Sequence, residues 1–176
     1  MKPLTNLFLK VTLQAALLYG LAMIVLALIG GDTLEPANIL ISALIFGAVL
    51  AAILVFWQQD RLKKMGIEEI REEHLRARQQ RTITSRISTE ELVARLKKDA
   101  ELGLSGLEED ENGLRFNTRM TQTSWGEKIA IKFGPAEKGE REITVTSRPR
   151  FALTLLDYGK NYENLERIEK MIRRKR

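Results

Sequence analysis

The chain has no cysteine and one histidine, His74, among its 176 residues. Without cysteine there is no disulfide scaffold, no thiolate metal site and no thiol nucleophile. One imidazole in a polar stretch does not make a zinc site. Phosphate-cradling loops are missing as well: neither G-x-x-x-x-G-K-[ST] nor G-x-G-x-x-G occurs, and there is no H-E-x-x-H and no D-x-D-x-D-G. Almost no nucleophile–base pair can be drawn from this set. No catalytic residue, metal or cofactor is therefore expected, and an enzyme would have to work with carboxylates alone or with help from its substrate. Aromatic residues make up only 6% of the chain. They are not interleaved with a basic patch, so nucleic acid is not expected as a partner.

Charge is absent from two stretches near the N-terminus, Val11–Ile29 and Ile39–Trp57, each 19 residues long. A helix of about 20 apolar residues crosses a hydrocarbon core of roughly 30 Å. The nine residues between them, Gly30–Asn38, allow a turn and little else. The pair reads as a transmembrane helical hairpin over residues 1–57. The first stretch is longer than the apolar core of a signal peptide, and GGDTLEP after it offers no clear cleavage site, so it is expected to be retained as a helix. Lys2 and Lys10 precede the first span, Arg61, Lys63 and Lys64 follow the second, and the loop between has no Lys or Arg. Basic flanks stay on the cytoplasmic side. The expectation is an integral protein of the bacterial cytoplasmic (inner) membrane, N-in and C-in, with Trp57 at the interface. Ala43, Gly47 and Ala51 recur every four residues in the second span, as do Ala16 and Gly20 in the first. Small residues at that spacing let helices approach closely, so the hairpin is expected to pack on itself, with a homo-oligomer or membrane partner as the alternative. Gln14, less than two turns into its span, reads as interfacial.

Residues 1–57 sum to zero charge, so the whole net +5 falls on the rest of the chain. Residues 58–86 are dense in Glu, Arg, Lys and Gln and read as a juxtamembrane helix or linker. No heptad is sustained long enough for a coiled coil. From Ile87 the pattern sharpens. Ser88 followed by Glu91 is a capping box, and Ile87 and Leu92 are spaced for a hydrophobic staple. That helix should bury Leu92, Val93, Leu96 and Ala100 and end near Gly103. Strand patterns follow at 102–107, 114–120, 129–133 and 143–146, with an edge strand at 151–155. Asn112-Gly113 supplies a hairpin turn, and 134–139 reads as a loop. Leu165, Ile168, Met171 and Ile172 then recur at helical spacing, closing with an amphipathic helix over 161–176.

Residues 87–176 thus read as a cytoplasmic α+β domain, a small antiparallel sheet of four or five strands covered on one face by two helices. The chain as a whole is a membrane-anchored α+β protein. Its plan is similar to that of many bacterial inner-membrane proteins, a likeness of layout that carries no residues with it. The acidic run Glu108–Glu111 reads as a solvated hairpin tip. Trp125, the one tryptophan after the spans, reads as a core anchor or a pocket wall. The segment SRPRFALTLLDYGKN, 147–161, is the candidate site. If it doubles back, Arg148, Arg150 and Lys160 converge on a phosphate or carboxylate, which arginine forks suit; turn chemistry alone accounts for its Asp, Gly and Asn. Two functions follow as expectations. The first is a non-enzymatic module held at the bilayer that binds a protein partner as an assembly or regulatory subunit. The alternative is a binder of anionic lipid headgroups or a small anionic ligand at the cytoplasmic face.

Overall fold

In the computed structural model the described residues are 3–31, 33, 35–111, 113–121, 124–151, 154 and 156–174. They form two units, divided between Leu75 and Arg76. The first unit is built on two long helices, α1 (Pro3–Gly30) and α2 (Pro36–Lys64). At 1.5 Å per residue each is about 42 Å long, longer than a hydrocarbon core. Both are long and apolar enough to cross a membrane. Pro36 opens α2, where a missing N–H costs nothing, and Arg61, Lys63 and Lys64 lie in its last turn, facing the negative end of the helix dipole. Large apolar side chains point outward along both helices, among them Leu17, Leu26, Ile29, Leu40, Ile45 and Phe56.

The inner seam of the pair is made of small residues. Ala16, Ala43 and Ala51 are buried. Gly47 lies where a Cβ would stand 2.5 Å from the Thr12 carbonyl oxygen and 3.1 Å from Ala16 Cβ, so nothing larger fits without separating the helices. A Cβ on Gly20 would lie 3.8 Å from that of Ala43. Tyr19 and Phe46 stack across the seam with centroids 4.6 Å apart. Farther along α2, Gln58 is wholly buried, and its amide bonds none of the described residues. After α2 comes a 3-10 turn, Glu72–Leu75, where His74 Nδ1 accepts from the Arg71 backbone N–H at 3.0 Å. The one histidine therefore serves a turn.

The second unit runs in the order β1 (Gln79–Ser85), α3 (Thr89–Lys98), β2 (Leu104–Asp110), β3 (Gly113–Thr118), β4 (Glu127–Glu137), β5 (Glu140–Pro149), α4 (Lys160–Arg173). All five strands form one antiparallel sheet, ordered β1-β5-β4-β3-β2. The fold class expected from the sequence is present in outline: two long apolar helices, then a five-stranded antiparallel sheet with two further helices. The order differs at one end, because a strand precedes α3. That strand lies in the segment expected to be juxtamembrane helix or linker, so the sheet begins before Ile87. The expected loop 134–139 is the paired end of a long hairpin, turned at Lys138 and Gly139, both with positive φ. Glu108, Glu109 and Asp110 belong to β2 rather than to a hairpin tip. Of the expected edge strand at 151–155, Phe151 is in a bend, and residues 152, 153 and 155 lie outside the described residues.

Local signals explain most of the elements. Ser88 Oγ accepts from Glu91 N at 3.2 Å, capping α3. The Glu91 carboxylate accepts from Arg95 Nη2 at 2.6 Å. Ile87 and Leu92 are both buried. The helix stops at Lys98, short of the expected Gly103, and Ala100 is exposed, since Asp99 caps the following turn by accepting from Leu102 N at 2.8 Å. The core lies between the sheet and the two helices. Ile83, Phe116, Ile129, Ile131, Ile143 and Val145 come from the sheet, and Leu92, Leu96, Leu165 and Ile168 from the helices. Along β5 the burial alternates, so Ile143, Val145 and Ser147 face the helices while Glu142, Thr144, Thr146 and Arg148 face away.

Candidate functional site

The outer face of the sheet is covered by no described element. On it lies an open groove of about 380 Å³ across β3, β4 and β5, lined by Arg115, Asn117, Lys128, Lys132, Thr146 and Arg148, with Glu108 at one side. Ala130 sits at its centre, paired with Arg115 on one side and Thr146 on the other, so the floor is low. Lys128 stands directly opposite Arg148 in the β4–β5 register. Like charges facing each other across antiparallel strands are unfavourable. Among the described residues none of Lys128, Lys132 and Arg148 has an ion pair, whereas Arg115 has Asp110 at 3.6 Å.

Behind these cations, on the inner face, is a buried polar chain. Glu127, Ser147 and Asn161 are wholly buried, and Thr118, Asn164 and Asp157 nearly so. The hydroxyls of Thr118 and Ser124 donate to the two oxygens of Glu127, and Glu127 N donates to Thr118 Oγ1 at 2.8 Å. Asn164 Nδ2 donates to Glu127 Oε2 at 3.4 Å and to Ser147 Oγ at 3.3 Å. Ser147 Oγ donates to Asn161 Oδ1 at 2.7 Å, and Asn161 Nδ2 donates to Asp157 Oδ2 at 2.9 Å. From the Asn164 amide the side-chain bonds run one way, directly to the Glu127 carboxylate and through Ser147 and Asn161 to the Asp157 carboxylate. Such a network is rigid when all its members are satisfied. Each inner member is next in sequence to an outer one: Thr118 to Asn117, Glu127 to Lys128, Ser147 to Arg148. The network therefore fixes the strand ends from which the groove cations project.

Asp157 also opens α4. Its Oδ2 accepts from Asn161 N at 2.9 Å and its Oδ1 from Gly159 N at 3.1 Å. Tyr158 and Gly159 both take left-handed backbone, with φ of 52° and 73°, which turns the chain sharply into the helix. Burial pushes the Asp157 carboxyl above its ordinary value, against the bonds from Asn161 and Gly159, which favour the charged form. Asp157, together with the positive φ at Gly159, does the capping work that turn chemistry assigned to this stretch.

The three cations expected to converge do not. Arg148 lies on the outer face of β5 and is exposed. Arg150 follows the strand, exposed, with its backbone N–H donating to Gly126 O at 3.0 Å. Lys160 is buried in the first turn of α4, with Nζ 3.1 Å from Glu163 Oε2. It belongs to the helix start and is paired within the first turn of α4. The other three cations of the groove, Arg115, Lys128 and Lys132, carry no motif and come together only through the β3–β4 register. Trp125 is neither core anchor nor groove wall: it is 69% exposed. The hairpin residues Ala16, Gly20, Ala43, Gly47 and Ala51 belong to the first unit, where the first four also border an apolar surface groove or the seam beside it. Among the described residues no group of three or more His, Asp or Glu is placed to hold a metal ion. No family model, no curated protein and no solved structure matches this chain.

Proposed function

We propose that the protein is a non-enzymatic, membrane-anchored binding module whose open sheet face takes an acidic segment of a partner protein. In this reading α1 and α2 are spans in the bacterial cytoplasmic membrane, N-in and C-in, and the domain works at its cytoplasmic side as an assembly or regulatory subunit. The observation that carries it is the Lys128–Arg148 pair, two cations without an ion pair among the described residues, held face to face on a sheet face that no described element covers. A local conflict of that kind, kept in place by a satisfied polar network, is what a binding surface for an anion requires. An extended acidic segment suits it better than a compact ligand, because the groove is shallow and open and its cations span three strands. The two carboxylates of the network, Glu127 and Asp157, are buried behind the sheet and engaged by donors, which supports a structural rather than a catalytic use for both.

The test is affinity purification of the tagged full-length chain in mild detergent, with stoichiometry by mass spectrometry. One partner at near-equal amount is expected, lost from the Lys128→Glu, Arg148→Glu double variant and retained by Thr82→Ser on the same face. Salt should weaken the complex, as exposed charge pairs are screened over about 10 Å at 0.1 M ionic strength. Undiminished recovery of the partner by the double variant would remove the groove from the reading. Turnover of a defined substrate by the purified chain would end the non-enzymatic reading outright.

A further inference from the structure

One end of the sheet carries a second surface, where the chain leaves β3, enters β4 and leaves β5. The Arg150 N–H that donates to Gly126 O ties the segment before β4 to the segment after β5. The residues beside that bond, Trp125 and Phe151, are 69% and 57% exposed, and Met120, leading out of β3, is 59% exposed. Among the described residues these are the exposed large apolar side chains that lie outside the two long helices. Contiguous exposed apolar groups of this kind mark an interaction site. The sequence stretches 119–126 (RMTQTSWG) and 150–156 (RFALTLL) contain no acidic residue in a chain that has 23 of them. Each begins with an arginine, Arg119 and Arg150, exposed and in no ion pair among the described residues. Chain order adds a third observation. Gln79, the first residue of the sheet, pairs with Ser147 near the end of β5. The chain therefore enters the sheet at this same end, after the fourteen residues 65–78 that follow α2.

We infer that this end of the sheet seats on an anionic bilayer surface. Trp125, Phe151 and Met120 enter the headgroup region, and Arg119 and Arg150 lie against lipid phosphates. The inference rests on the reading of α1 and α2 as membrane spans. The chemistry fits a bilayer interface: tryptophan has an apolar body and one N–H that stays wet, and basic residues near an anionic leaflet are attracted to it. The chain also enters the sheet at this end, with Gln79 beside Ser147, and the hairpin tip at Lys138-Gly139 lies at the other end of β4 and β5. The groove on the sheet face, a separate surface, is left free for its partner.

The two tryptophans of the chain, Trp57 and Trp125, let the inference and its premise be read separately. The full-length chain is reconstituted into vesicles of mixed phosphatidylcholine and phosphatidylglycerol, with or without bromine on the acyl chains near the headgroup. In the Trp57→Phe variant, Trp125 emission should be shifted to the blue, quenched by the brominated lipid and protected from aqueous iodide. The shift and the quenching should fall in pure phosphatidylcholine and in the Arg119→Glu, Arg150→Glu double variant. In the Trp125→Phe variant, brominated lipid should quench Trp57. Trp57 quenched with Trp125 open to iodide and untouched by bromine overturns the inference and leaves the spans standing. Trp125 shielded from both quenchers means a protein contact, and also overturns it. Equal quenching in pure phosphatidylcholine overturns the claim for anionic lipid. Trp57 untouched by bromine takes away the span reading, and the inference with it.

Discussion

At the scale of single residues, the buried acid Asp157 sets a testable dependence on pH. Burial raises its pKa above the ordinary 3.8, so the folded state binds a proton more readily than the unfolded one. The stability this contributes is present in full below the ordinary value and is lost as pH rises through the raised one. Glu169 opposes it. Burial pushes its carboxyl up, but the bonds from Arg81 and Arg173 outweigh this and hold it below its ordinary 4.5, so its contribution is present above that value and is lost as pH falls. In Asp157→Asn the loss on raising pH should vanish, leaving a domain whose stability falls on acidification below the ordinary glutamate value and is level above it. Thermal unfolding followed by near-ultraviolet circular dichroism measures this, and parallel curves for variant and parent would refute it. The residue scale is also where sequence reading met its limit. Thr118, Glu127 and Ser147 each sit at the inward phase of a strand, continuing Phe116, Ile129 and Val145. That misfit of polarity and phase was the available signal. The bonding of Glu127 to Asn164, and of Ser147 to Asn161 and Asn164, was not legible, because it depends on a helix packed against the sheet. The place of Lys160, read from the sequence as one of three converging cations, depends on the same turn: it is buried at the start of α4 beside Glu163.

Among the elements, those with strong local chemistry were legible and those defined by their neighbours were not. Ser88 announces α3 because a hydroxyl before an amphipathic run has one main use. Gly113 announces the β2–β3 hairpin, and the fold leaves it no alternative: its φ is 136°, and a Cβ there would lie 1.9 Å from Ile131 O. Strand β1, QQRTITS, was illegible. Of its inward residues Gln79, Arg81, Ile83 and Ser85 only Ile83 is apolar, and Arg81 turns to Glu166 and Glu169 on α4. An edge strand held by an ion-pair network has no apolar alternation to read. The long helices were legible from uncharged length, and their seam makes a prediction. The geometry at Gly20 and Ala43 matches the Cβ separation of about 3.8 Å that a disulfide requires. Gly20→Cys with Ala43→Cys should therefore oxidise readily in membranes. Adding Gly47→Leu should abolish that cross-link and destabilise the pair by about 1–3 kcal/mol, the usual effect of overpacking. Unchanged cross-linking would mean that the helices are not held by this seam.

For the whole molecule, the division before Arg76 predicts where the chain can be cut. Residues 76–176 should fold as a cooperative domain by themselves. A fragment beginning at Ile87, where the local signals start, lacks β1, leaves the outer edge of β5 bare and removes Ile83 from the core and Arg81 from Glu166 and Glu169. It should melt without cooperativity or aggregate, as unpaired strand edges do. Equal melting of the two fragments by calorimetry would show that β1 contributes nothing. The same strand order has a consequence for biosynthesis. Hydrogen-bonded neighbours in this sheet are neighbours in time of synthesis, with one exception: β1 leaves the ribosome first and pairs only with β5, the last strand made. Until Pro149 has emerged, the oldest strand has no template and the newest ones have no lid. A stalled or truncated translation product therefore leaves β1 unpaired on both of its edges, where the finished chain pairs one of them with β5, and a quality-control protease that recognises a wholly unpaired strand would distinguish the unfinished chain from the finished one.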